Sequence, residues 1–145
     1  MMVIIGEIAR SIIQTKNDQL GRWCQITIKG ANEQSLTIFN VYNTVNTSIA
    51  QAGPATIFSQ QWNLLRLAGK LKPDPRRQFI QDITQQVDLT HQNKSKICIL
   101  GDFNETLGSD PTMMSSLCVK FGLYDPFAAR YLEQSTAPTY NKGRS

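Results

Sequence analysis

Histidine is almost missing from this chain of 145 residues, and cysteine is scarce. The one imidazole, His91, excludes a multi-histidine metal centre. It stands between Thr90 and Gln92 at the start of a polar stretch, residues 91–95, which reads as an exposed loop. Three cysteines cannot make a fully paired disulfide framework, and Cys24, Cys98 and Cys118 lack the spacing of a metal site. Cys24 and Cys98 fall inside apolar strand patterns and Cys118 inside a helical one, so all three read as small buried hydrophobes in a reducing compartment. No apolar run approaches the roughly 20 residues of a membrane span. Residues 1–5 are too short for the apolar region of a signal peptide. These absences lead us to expect a soluble, intracellular protein, nuclear or cytoplasmic, without a membrane partner.

What is present suffices for one core. A chain of this length with 41% hydrophobic residues is expected to form a single domain over residues 1–145. The net charge of +4 is mild, but Arg66, Lys70, Lys72, Arg76 and Arg77 fall together around a Pro-containing connection. Such a cluster steers a polyanion, or simply solvates a helix-loop-helix surface.

Hydrophobic periodicity supplies the elements. Residues 8–14 form a weakly apolar segment that suits a strand. Over 23–29, Cys24, Ile26 and Ile28 alternate with Gln25, Thr27 and Lys29, the period of a half-buried strand. Gly30-Ala31-Asn32-Glu33-Gln34 turns the chain. The next strand, 36–42, puts Leu36, Ile38 and Asn40 on one face and Thr37, Phe39 and Val41 on the other, completing an antiparallel hairpin. Phe58, Trp62 and Leu65 recur at helical spacing within 56–68, giving a helix whose apolar face should pack on the sheet. Lys72-Pro73-Asp74-Pro75 separates it from a second amphipathic helix carrying Phe79, Ile80, Ile83 and Val87. Asp110-Pro111 predicts an N-cap and first position for a third helix with a Met114, Leu117, Cys118 and Phe121 stripe, ended by Gly122.

The chemistry-bearing feature is Gly101-Asp102-Phe103-Asn104, which follows the apolar run Ile97-Cys98-Ile99-Leu100. Such a run reads as a buried strand, and the rim just past a strand's carboxyl end is where α/β proteins commonly keep their chemistry. In extended backbone Asp102 and Asn104 point the same way, bringing a carboxylate and an amide to one spot. That pair can grip a hard cation, a phosphate or a water. Asp and Asn after a strand are also ordinary turn residues, because their side chains bond nearby backbone N–H groups.

Several further segments stand in a telling order: Gly21-Arg22-Trp23, Asn40-Val41-Tyr42-Asn43, Ile99-Leu100-Gly101-Asp102-Phe103-Asn104-Glu105, Phe121-Gly122-Leu123-Tyr124-Asp125 and Pro138-Thr139-Tyr140. In this series the chain, most strongly over residues 21–145, resembles the endonuclease/exonuclease/phosphatase superfamily, the deoxyribonuclease-I-like proteins. The flavour is that of the endonuclease domain in retrotransposon-type reading frames. The resemblance implies an α/β fold, a partial two-sheet sandwich of mixed, mainly antiparallel strands flanked by helices. It also implies Mg²⁺- or Mn²⁺-dependent phosphodiester hydrolysis, with nucleic acid as the expected substrate, although DNA, RNA and phospholipid headgroups all stay open. Asp102 resembles the aspartate that orients or deprotonates the attacking water, Asn104 the asparagine that holds the phosphate and metal environment, and Tyr42 a phosphate-contacting tyrosine. Asp102 and Asn104 are thus the implied, partial metal site; Glu105 reads as a solvated side chain.

The departures define an alternative. The superfamily places an asparagine and a metal-binding glutamate on strands earlier than the segment matching Trp23, and Glu7, in Ile5-Gly6-Glu7-Ile8, does not match that motif. It also closes on an Asp-His pair, whereas His91 precedes the tetrapeptide. The chain is therefore expected to be the middle of a superfamily domain, with exposed strand edges that favour marginal stability or association. Two functions follow: a metal-dependent endonuclease using Asp102, Asn104 and Tyr42, or a non-catalytic remnant that binds nucleic acid through Arg66, Lys70, Lys72, Arg76 and Arg77.

Overall fold

Turn chemistry and alternation produce the central hairpin. In a computed structural model that describes residues 2–106, 108 and 110–130, strands β2 (Trp23–Lys29) and β3 (Ser35–Tyr42) pair antiparallel. The turn between them places Asn32 and Glu33 at φ 52° and 60°, with the Gln34 N–H donating to the Ala31 carbonyl at 3.1 Å. Two consecutive positive φ values make the turn whose twist matches that of a hairpin. Ahead of it, the weakly apolar segment divides into a 3-10 turn, Glu7–Ser11, and a strand β1 (Ile12–Asn17), which pairs antiparallel with β2 through an irregularity after Ile12.

The fourth strand, β4 (Lys96–Asp102), lies parallel to β3, so the sheet order is β1-β2-β3-β4 and the sheet is mixed. A parallel pair cannot be closed by a hairpin. The crossover consists of helices α1 (Ile57–Leu67) and α2 (Pro75–Gln92). Thr56 caps α1 by accepting from the Ser59 N–H; Asp74 caps α2 by accepting from the Arg77 N–H, with Pro75 at the first helical position. α2 runs on through His91, so the expected loop at 91–95 shortens to residues 93–95. Helices α3 (Met114–Phe121) and α4 (Pro126–Arg130) follow β4. α3 starts later than its sequence signal: Asp110 accepts from the N–H and hydroxyl of Thr112, forming a local turn before the helix rather than its cap. Gly122, at φ 64°, ends α3 as expected.

The core lies on one side of the sheet. Trp23, Phe39 and Val41 pack on Phe79, Ile80, Ile83 and Val87 of α2 and on Met114 and Leu117 of α3. Trp23 meets Phe39 edge-on, with ring centroids 6.3 Å apart. α1 packs principally on α2 rather than on the sheet, burying Phe58 and Leu65. Because register ties Trp23 to Val41 and Gln25 to Phe39, the polar Gln25 and Thr27 face the helices. β2 is thus buried on both faces, since Ile26 and Ile28, on the side expected from its alternation, are 7% and 8% exposed. Thr27, Thr37 and Ser95 satisfy one another inside through a chain of hydroxyl bonds of 2.9 Å each, while Gln25 reaches Gln14 through its Nε2 and leaves its Oε1 buried without a partner. The apolar set Ile26, Ile28, Leu36, Ile38, Cys98 and Leu100 occupies the opposite face, where Leu36 is 38% and Leu100 46% exposed. Cys98 is exposed on that face, contrary to the expectation of burial, while Cys24 and Cys118 are half-buried. Among the described residues no helix is long and apolar enough to cross a membrane.

A buried ion cluster ties the β1–β2 turn to α2. The Arg22 guanidinium, 2% exposed, donates to both Asp18 carboxylate oxygens at 2.6 and 2.9 Å and to Asp82 at 2.6 Å. Removing one partner from such a cluster costs about 3–5 kcal/mol. Burial alone would raise the Asp18 carboxyl; the hydrogen bonds and charge of Arg22 outweigh it and hold the group below its ordinary value of 3.8. A carboxyl whose folded value lies below its unfolded one contributes stability that is complete above the unfolded value and is lost as pH falls through the folded one. Stability measured by denaturant titration should therefore decline as pH drops below about 4. Asp18→Asn should lower stability at pH 7 and flatten that acid limb; an unchanged limb would exclude Asp18 as its source.

Candidate functional site

The parallel register sets the site. Tyr42 and Asp102 are direct neighbours at the carboxyl ends of β3 and β4 and share the sheet face that looks away from the helices. The ladder extends one step further, with the Asn43 N–H donating to the Asp102 carbonyl at 2.8 Å. Asp102 is exposed and Tyr42 half-buried. Both line an open concavity of about 670 Å³ that Asn17, Cys24, Asn40 and Gly101 also border.

Gly101 permits the close approach of the two strands. Its φ is 134°, and a Cβ built there would lie 1.9 Å from the Val41 carbonyl oxygen. No side chain fits without moving β4 away from β3.

Asn104 does not continue the strand. It adopts φ 47°, its N–H donates to Asp102 Oδ1 at 3.0 Å, and its Nδ2 donates to the Asn43 carbonyl at 2.7 Å. The turn and the site are thus the same object. An Asx turn, rather than extended alternation, brings the Asn104 backbone N–H to the Asp102 carboxylate, and the Asn104 side-chain amide bolts the loop after β4 to the end of β3.

Arg76 must be separated from the other expected nucleic-acid contacts. It is 6% exposed. Its guanidinium donates to the Thr44 carbonyl, to the Asn104 carbonyl at 3.3 Å and to Glu105 Oε2 at 3.1 Å. Buried in these contacts, it is not a surface group for a phosphate backbone. Arg76 belongs to the inward stripe of α2, three, four, seven and eleven residues before Phe79, Ile80, Ile83 and Val87, all of them buried. That periodicity, rather than charge clustering, was the signal that could have placed it inside. Arg66, Lys70, Lys72 and Arg77 are exposed, and Arg66 lies over the Trp62 ring at 5.5 Å. Since Arg76 in the first turn of α2 reaches Thr44 and Asn104, that turn and the neighbouring Arg77 stand at the same end of the sheet as Asp102.

Glu105 also differs from its expected solvated state. Its side chain is 5% exposed, paired with Arg76, and its Oε1 accepts from the Met114 N–H at 2.9 Å, capping α3. Burial pushes its carboxyl above the ordinary value, against the pull of the Met114 N–H and the Arg76 charge. Glu105 is therefore a structural tie, not a metal ligand. His91 sits near the last turn of α2 beside Phe121, 5.9 Å between rings. It stands at the amino end of β4, about 20 Å from Asp102 along a seven-residue strand. Pro138, Thr139 and Tyr140 lie outside the described residues.

The donors fit a cation only in one way. No group of three His, Cys, Asp or Glu side chains gathers among the described residues. Asp102 is the one exposed carboxylate at the strand ends, with amide and phenol oxygens beside it. An oxygen-only set with a single carboxylate suits Mg²⁺, which keeps several waters and takes further oxygens from a phosphate. It does not suit Zn²⁺, whose sites draw three or four protein ligands that are mostly histidine nitrogen or cysteine sulfur.

Comparison with family models, with curated proteins and with solved structures finds no match to this chain. Replacing Gly101 by Ala should cost at least about 2–3 kcal/mol, from positive-φ strain and overlap with Val41. Chemical denaturation reads this directly, and a cost under about 0.5 kcal/mol, the range of an ordinary surface change, would contradict the close approach of β3 and β4.

Proposed function

We propose that this chain carries the central part of a deoxyribonuclease-I-like phosphodiesterase site and acts on nucleic acid. One observation carries the reading: the β3–β4 register sets Tyr42 beside Asp102 at the sheet rim, and the Asx turn ties the Asn104 backbone N–H to the Asp102 carboxylate. These are the three side chains to which the sequence resemblance gives chemical roles, and they come from two segments about sixty residues apart.

The roles follow from the groups. The Asp102 carboxylate accepts a hydrogen bond from the attacking water and takes its proton as the oxygen closes on phosphorus and the ester bond breaks. The Tyr42 hydroxyl donates to a phosphoryl oxygen as charge grows there, and the Asn104 side chain, held through Nδ2 on the Asn43 carbonyl, keeps its Oδ1 as an acceptor for the cation or its waters. Asp102 and Asn104 would hold Mg²⁺ or Mn²⁺, which supplies charge neutralisation when bound. Lys70, Lys72 and Arg77, with Arg66 over Trp62, provide a basic margin for the phosphate backbone.

A second reading is favoured by one specific finding. Among the described residues no group of three His, Cys, Asp or Glu side chains gathers around Asp102, and the one histidine of the sequence lies at the other end of β4. In that case the chain binds nucleic acid without cutting it.

A plasmid-nicking assay separates the two. With Mg²⁺ the wild type should nick, and Asp102→Ala should reduce nicking by at least about 100-fold, as expected for loss of a general base. Equal nicking by both proteins, or none by either, would remove the catalytic reading. For the basic margin, Lys70→Ala, Lys72→Ala and Arg77→Ala should each weaken binding across sequences and shallow the log K against log salt slope by roughly 0.7–0.9. A salt-independent affinity would rule out the electrostatic contact.

A further inference from the structure

We infer that Arg76 is a positioning residue for the Asp102–Asn104 pair, an inference that rests on reading this strand end as the phosphodiester site. The sheet fixes Asp102 and Tyr42, but Asn104 stands one turn beyond it. Its bonds to Asp102 and to the Asn43 carbonyl tie it to the strand ends, and they hold it in one place only where the loops after β3 and β4 are themselves fixed. Arg76 holds both. Its guanidinium bonds the Thr44 carbonyl of the first loop and the Asn104 carbonyl of the second, and clamps Glu105 next in sequence.

Glu105 transmits the restraint onward, since its other oxygen accepts the Met114 N–H and so sets where α3 begins. The chain of contacts runs from the first turn of α2 through Arg76 to both loops and on to α3, with every bonded polar atom buried or half-buried. Five N–H donors in a rigid fork can serve three acceptors at once. A lysine ammonium of the same charge is compact, carries three donors on a flexible stem and cannot span them in the same geometry. Arg76 touches no substrate in this scheme. It acts through the Asn104 backbone carbonyl, and the side chain of the same residue is held separately by the Nδ2 bond to the Asn43 carbonyl.

The test uses the full chain and two readouts. The first is independent of activity: the Asn104 side-chain amide signals in a ¹H–¹⁵N spectrum, whose Nδ2 hydrogen is bonded to the Asn43 carbonyl. The second is the kcat and KM of Mg²⁺-dependent cleavage of a short oligonucleotide. The main variant is the double replacement Arg76→Met with Glu105→Met, because exchanging a buried ion pair for packed apolar groups is often neutral for stability. It should keep the helical circular dichroism of the wild type, shift and broaden the Asn104 amide signals, and lower kcat by roughly 10- to 100-fold, the effect of misplacing a reacting group by about an ångström. KM should change by less than about threefold, since the exposed basic margin is untouched. Should the double variant fail to fold, Arg76→Lys carries the same two readouts with the ion pair retained, and the same direction is expected. Unchanged Asn104 signals together with wild-type kcat in a folded variant would overturn the inference. A wild type without any Mg²⁺-dependent cleavage would overturn the proposed function alone, and the amide signals would still decide the role of Arg76.

Discussion

The parallel contact between β3 and β4 is the constraint from which the rest of the structure follows. It needs a crossover, which α1 and α2 provide, and it needs Gly101, because the Val41 carbonyl occupies the space of a side chain. It also decides the sidedness of the sheet. Once Phe39 and Ile99 face α2, alternation sends Tyr42 and Asp102 to the opposite face and the whole apolar row from Ile26 to Leu100 with them. Packing and chemistry are therefore set by the same ladder, one face for the core and the end of the other for polar groups.

Two buried arginines hold what the ladder leaves loose. Arg22 joins the β1–β2 turn to α2, and Arg76 joins α2 to both loops at the strand ends. Each guanidinium bridges segments far apart in sequence and satisfies groups that would otherwise be orphaned in a half-buried setting. Both run to the same helix, so α2 is the frame against which the polar end of the sheet is positioned.

Much of this was legible in the residues, for identifiable reasons. The hairpin, the three main helices and the strand before the tetrapeptide each carry a strong period or a cap, as at Asp74-Pro75 and Gly122. The inward faces were harder to read. β2 buries Gln25 and Thr27 because its partner's Phe39 and Val41 dictate the register, and a local alternation rule cannot see a cross-strand neighbour. Arg76 and Glu105 were read as surface groups on charge alone, although Arg76 keeps step with the apolar stripe of its helix. At the candidate site, Asp102 and Tyr42 could be named from sequence, but their adjacency is a property of strand order. The bend at Asn104 was visible only as an alternative, that of an ordinary turn residue, and the structure makes this alternative the means by which its amide reaches the site.

Gly101 has a consequence for inheritance as well as for folding. A strand end that tolerates no Cβ, followed by a turn that Asn104 closes with two hydrogen bonds, is under pressure to keep its residues for as long as the sheet must form. A descendant that had lost all chemistry would still need the glycine to stay folded, and would gain little from exchanging the asparagine. The tetrapeptide in this sense answers to architecture first, and its presence in a chain is evidence of the strand end rather than of turnover.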